Sequence, residues 1–115
     1  MFQFLKSLFG KAESTTNKVH NRLNVADFTV GISNGKCSLV DVRTPNEYAG
    51  GKIKNAKLIN VMAPNFQSSL DKLDKEKPLY LYCRSGVRSV RAAKIAEKLG
   101  FKEIYDLKGG FNAWK

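Results

Sequence analysis

Between Cys37 and Trp114, short apolar runs alternate with stretches of helical periodicity, and this alternation restricts the possible folds more than any other feature. Cys37–Val42, Ala56–Asn60, Pro78–Tyr82 and Ile104–Leu107 read as buried strands, the third opening on a proline where a missing N–H is tolerated. Helical segments alternate with them. Val25–Ile32 has Asn24 as its cap and stops at Asn34-Gly35. Thr44-Pro45-Asn46-Glu47 is a capping box with proline at the first helical position, and Gly50-Gly51 ends that helix. Asn65–Leu73 places Phe66, Leu70 and Leu73 at helical spacing. Ser89–Leu99 has Val90, Ala93, Ile95, Ala96 and Leu99 as its apolar set, with Gly100 beyond its end. After Gly109-Gly110 a last helical turn reaches Trp114. Such alternation predicts an α/β fold, a mostly parallel central sheet flanked by helices on both faces. Ligands in such sheets sit beyond the carboxyl ends of the strands, here after Val42, Tyr82 and Leu107.

The 115 residues make one domain, and 43% apolar content supports one core. No apolar run reaches the ~18 residues that cross a bilayer. Two cysteines and one histidine, His20, are too few for a disulfide scaffold or a structural zinc site. No metal and no cofactor is expected. The net charge of +10 is spread evenly, nine basic residues in 1–60 and eleven in 61–115. Without a basic tract or a nucleic-acid motif, that argues against nucleic-acid binding and for a field that steers small anions.

Residues 1–18 read as an amphipathic segment followed by a polar linker, and 19–115 as the domain. Phe2, Leu5 and Phe9 share a helical face, while Gln3, Lys6 and Ser7 interrupt any secretory signal. Packing on the domain is the expectation for that face; weak membrane-surface contact by residues 1–11 is the alternative. The cysteine usage and the lack of a signal predict a cytoplasmic protein.

The segment that carries chemistry is Cys83-Arg84-Ser85-Gly86-Val87-Arg88-Ser89. A cysteine closes a strand, a loop with a glycine follows, and a helix begins at once. Amides at a helix N-terminus point back at the loop, and the helix dipole adds positive potential. Gly86 permits the tight curl that turns loop amides inward. With Arg84 and Arg88 these groups favour a Cys83 thiolate and bind an anionic substrate. No imidazole is at hand, so activation is electrostatic.

The three motifs Leu39-Val40-Asp41-Val42-Arg43-Thr44-Pro45-Asn46-Glu47-Tyr48, Tyr82–Ser89 and Asp106-Leu107-Lys108-Gly109-Gly110-Phe111-Asn112-Ala113-Trp114 stand in order. From about Leu23 to Trp114 the chain resembles a single-domain rhodanese. One departure is Gly51-Lys52-Ile53, where the family commonly has Gly-His-Ile. The resemblance implies a sulfurtransferase: Cys83 takes the outer sulfur of thiosulfate or a similar small anionic donor as a persulfide. A small thiol, thioredoxin, another protein thiol or cyanide then removes it. It implies Cys83 as nucleophile, Arg84 and Arg88 as donor-anion contacts, and Ser85, Gly86, Val87, Arg88 and Ser89 as a cradle of backbone N–H groups. Two alternatives remain: a non-catalytic partner-binding rhodanese module, against which the retained Cys83 argues, and a Cys-Arg phosphatase or arsenate reductase. The latter use a loop one residue longer than the C-x4-R found here.

Elsewhere, Asp41 is expected to hydrogen-bond a neighbouring loop, and Arg43 to pair with Glu47 four residues on. Cys37, at the start of its strand, reads as core. Trp114 reads as an anchor for the C-terminus, and His20 receives no role.

Overall fold

The computed structural model describes residues 18–115, so the amphipathic segment 1–11 and the linker up to residue 17 lie outside the described residues. The elements run β1 (His20–Leu23), α1 (Val25–Ile32), β2 (Ser38–Asp41), α2 (Pro45–Ala49), β3 (Lys57–Leu58), α3 (Phe66–Leu70), β4 (Leu79–Tyr82), α4 (Val87–Leu99), β5 (Ile104–Leu107) and α5 (Gly110–Trp114). Five strands form one sheet in the order β1-β5-β4-β2-β3, and every pairing is parallel. All strands therefore point their carboxyl ends the same way, and the loops after β2, β4 and β5 gather at one end.

Period-two alternation divides the core. Val40, Val42, Leu79, Leu81 and Cys83 face α3 and α4, where Phe66, Leu70, Ala92, Ala93 and Ala96 meet them. Leu39, Tyr80, Tyr82 and Leu107 face the other way, onto Phe28 of α1, with Phe111 and Trp114 of α5 against them. Helices thus cover both faces. Full burial of a side chain such as Leu79, Leu81 or Ile104 contributes ~1.5–3 kcal/mol. Trp114 is only partly buried, packing edge-on at 6.4 Å from the Phe28 ring.

The capping box forms as the sequence predicts. Thr44 Oγ1 accepts the Glu47 N–H at 3.3 Å, and Glu47 Oε1 accepts the Thr44 N–H at 3.1 Å. Three expectations shift. The third helix is shorter than Asn65–Leu73. The long helix starts at Val87, two residues earlier than expected, and buries Ser89, Ala92, Ala93 and Ala96 while Val90 is only half-buried. Small residues on that face let α4 lie close to the sheet. The edge strand β1 was not expected at all; its polar His20-Asn21-Arg22 carries no apolar alternation.

Candidate functional site

Cys83 follows β4 at the carboxyl end of the sheet, beside Val42, whose N–H donates to Tyr82 O at 3.0 Å. Its side chain is wholly buried. Two of the expected loop amides reach the sulfur. Gly86 N–H donates to Cys83 Sγ at 3.0 Å and Ser89 N–H at 3.4 Å. Gly86 occupies the cap position of α4 with φ 103° and offers no side-chain cap. Ser89 is the third helical residue, whose N–H ordinarily bonds an N-cap oxygen. Here the cysteine sulfur takes that place, so the helix N-terminus is capped by the candidate nucleophile itself. Negative charge on Sγ is favoured by both donors and by the helix dipole.

The loop is gripped from two sides. At the start of α5, Phe111 N–H donates to Cys83 O at 2.8 Å and Asn112 N–H to Arg84 O at 3.0 Å. This close approach depends on Gly110, where φ is 61° and a Cβ would come within 2.5 Å of Cys83 O. On the other side, Ser89 Oγ lies 3.6 Å from Sγ and donates to Asp106 Oδ2 at 2.9 Å. Asp106 is buried and also accepts from Arg22 Nε at 3.1 Å and Arg22 Nη2 at 2.6 Å, while His20 Nε2 meets its Oδ1 at 2.7 Å. Burial alone would push the Asp106 carboxyl up, but hydrogen bonds from Arg22, His20 and Ser89 outweigh it and hold the group below the usual carboxylate range. Arg22 Nη2 also donates to Gly86 O.

The arginines divide differently from the sequence expectation. Arg88, expected at the donor anion, forms a two-pronged ion pair with Glu47, at 2.8 Å and 2.9 Å. Glu47 is therefore not paired with Arg43. Instead Arg43, buried, grips Asp41 through Nε and Nη2 at 3.0 Å and 2.7 Å and donates to Gly51 O at 2.6 Å. A neighbour two residues back on the strand end is nearer than one on the next helix. Asp41 thus ties the Gly50-Gly51 turn to the sheet through Arg43. Arg84 is exposed and borders a depression of about 200 Å³ with Phe111, Asn112, Arg43, Glu47 and Lys115. Lys52 lies with Nζ 4.8 Å from the centre of the Tyr48 ring, and Ile53 beside it is buried, its N–H donating to Tyr82 Oη at 3.0 Å. Cys37 is half-buried at the opposite end of the sheet, and burial pushes its thiol up.

Sequence reasoning missed His20, Arg22 and Asp106. His20 and Arg22 are two apart on β1, and Arg22 stands in register with Asp106. Their period-two spacing on a polar segment was the one available signal, and it is weak without knowledge of the strand beside it.

The sequence matches the Rhodanese-like domain family over residues 24–115. The chain belongs to that family. It is 40% identical over 97 residues to an uncharacterized protein, YqhL, of Bacillus subtilis, covering 84% of this chain and 74% of that one. It is 39% identical over 77 residues to thiosulfate sulfurtransferase GlpE of Coxiella burnetii, covering 67% of this chain and 70% of the relative. Among solved structures, a rhodanese-like domain protein from Staphylococcus aureus superposes with a TM-score of 0.72 at 30% identity, covering 82% of this chain and 90% of that one.

Proposed function

We propose that the protein is a sulfurtransferase that carries sulfane sulfur on Cys83, with thiosulfate or a similar small anion as donor. The observation that carries this reading is the sulfur at the N-terminus of α4, holding the Gly86 and Ser89 amides where a cap oxygen would be. The likeness to a thiosulfate sulfurtransferase supports it. Cys83 thiolate attacks the outer sulfur of thiosulfate. A bond forms between Sγ and that sulfur, the S–S bond of the donor breaks, and its electron pair leaves with sulfite. The new terminal sulfur bears the negative charge and is stabilised by the amides of the Ser85–Ser89 loop, as an oxyanion hole stabilises oxygen. An acceptor thiolate, or cyanide, then attacks the terminal sulfur, and the Cys83 thiolate departs unchanged.

Arg84 is the guanidinium free to meet the sulfonate end of the donor, since Arg88 is held by Glu47. A charge-assisted contact of this type is worth ~1.5–3 kcal/mol. The test is intact mass after incubation with thiosulfate. The wild-type chain gains one sulfur atom, dithiothreitol removes it, Cys83→Ser gains none and Cys37→Ser gains one. An adduct that persists in Cys83→Ser would sink the assignment.

A further inference from the structure

We propose that Arg22 is a positioning residue for Cys83, setting through Gly86 and Asp106 the direction of the hydrogen-bond donors around the sulfur. The inference rests on the sulfurtransferase reading and adds to it a residue from the polar edge strand. Arg22 is partly exposed, with 38% of its side chain accessible, yet its guanidinium makes three donations to two acceptors, Gly86 O and Asp106 Oδ2. One acceptor belongs to a peptide of the loop that curls around Sγ, and the other binds the Ser89 hydroxyl beside it.

The first is the Gly86–Val87 peptide. The helix sends the N–H groups of its first turn, Val87 to Ser89, out of its N-terminus toward the loop, and Ser89 N–H reaches Sγ. A planar trans peptide sends its carbonyl the opposite way. Gly86, at φ 103°, has the conformational freedom to let this peptide turn over. A turned peptide would bring a carbonyl oxygen inward, toward the side of the loop where the Gly86 and Ser89 amides hold the sulfur. Arg22 Nη2 holds that carbonyl outward.

The second is the Ser89 hydroxyl. It donates to Asp106 Oδ2, so an oxygen lone pair faces Cys83, which suits the neutral thiol. A thiolate needs the reverse: the hydroxyl must turn its hydrogen to sulfur and leave Asp106. A buried carboxylate with no other donor would resist that. Arg22 and His20 already satisfy both oxygens of Asp106, so Ser89 is free to turn. Lysine at position 22 keeps the charge but lacks the rigid fork that reaches both acceptors.

The experiment uses the full chain in a Cys37→Ser background, so that only Cys83 reacts. Iodoacetamide alkylation at fixed pH, followed by mass, is compared with thermal unfolding for Arg22→Lys and Arg22→Ala. The expected result is that Arg22→Lys melts within a few degrees of its parent while Cys83 alkylates about fivefold to tenfold more slowly. Arg22→Ala is slower still, and thiocyanate formation from thiosulfate and cyanide falls in proportion. Parental alkylation rates in either folded variant overturn the proposal. Loss of cooperative unfolding in both also overturns it, making the ion pair a requirement of the fold and not of the loop. If the parent forms no thiocyanate, the sulfurtransferase reading fails, and the alkylation rates still judge Arg22.

Discussion

Replacing Glu47 by glutamine separates two jobs that one carboxylate performs. Its Oε1 receives the Thr44 N–H of the capping box, and both oxygens receive Arg88 from α4. Glutamine retains the cap, because a capping box accepts Glu or Gln at that position; it removes only the ionic half of the link to α4. Arg88 above all, with help from Thr44 and against the effect of burial, holds the Glu47 carboxyl at a pKa of about 2, against an ordinary 4.5. That depression corresponds to at most about 3.4 kcal/mol of stability. The side chain is about a quarter exposed, so screening brings the expected loss nearer about 2 kcal/mol. The folded-state pKa lies below the unfolded one, so the stabilisation is complete above the unfolded pKa of about 4.5 and is lost as pH falls toward 2. Urea unfolding of the wild type and Glu47→Gln at pH 7, 5.5 and 3.5 tests this. The gap should stay near 2 kcal/mol at the two higher pH values and shrink by roughly half at pH 3.5. A gap that does not change with pH, or no gap at pH 7, would refute the reasoning.

Arg84→Ala should lower kcat/KM for thiosulfate roughly tenfold to a hundredfold with almost no change in melting temperature, because the side chain is exposed; unchanged kinetics would remove Arg84 from the donor site. Gly110→Ala should cost at least ~2 kcal/mol, since a positive φ is compounded by a contact of 2.5 Å with Cys83 O, and thermal unfolding should show a melting temperature lower by about 10 °C. Its sulfur transfer should fall further than its folded fraction, because the shifted carbonyl belongs to Cys83 itself.

What the sequence revealed and what it hid divide by distance along the chain. The Thr44–Glu47 cap, the Asn24 cap and β5 at Ile104–Leu107 are written in consecutive residues and form where expected. So is the Cys83–Ser89 loop, since a strand end, a glycine and a helix start are all local signals. The pairings that organise the charges are not local. Arg88 and Glu47 are 41 residues apart, and Arg22 and Asp106 are 84 apart. No spacing rule links such partners, so the four-residue interval from Arg43 to Glu47 suggested a pair that strand-end geometry gives to Asp41 instead. β1 was invisible for a related reason: it is a polar edge, and its place depends on a strand at the other end of the chain.

The enclosure of Cys83 bears on which of two adjacent sulfurs an incoming thiol can strike. Attack on the terminal sulfur of a persulfide completes transfer; attack on Sγ releases hydrogen sulfide and leaves the protein joined to its acceptor in a mixed disulfide. These outcomes differ only in regiochemistry. Displacing the outer sulfur from Sγ requires approach along the S–S axis from the side opposite that sulfur, which is the protein interior, while the second sulfur extends outward by one bond of ~2.05 Å. On the sulfurtransferase reading, the depth at which the cysteine is set thus selects the product, leaving the outer atom to the acceptor and closing off the unproductive branch.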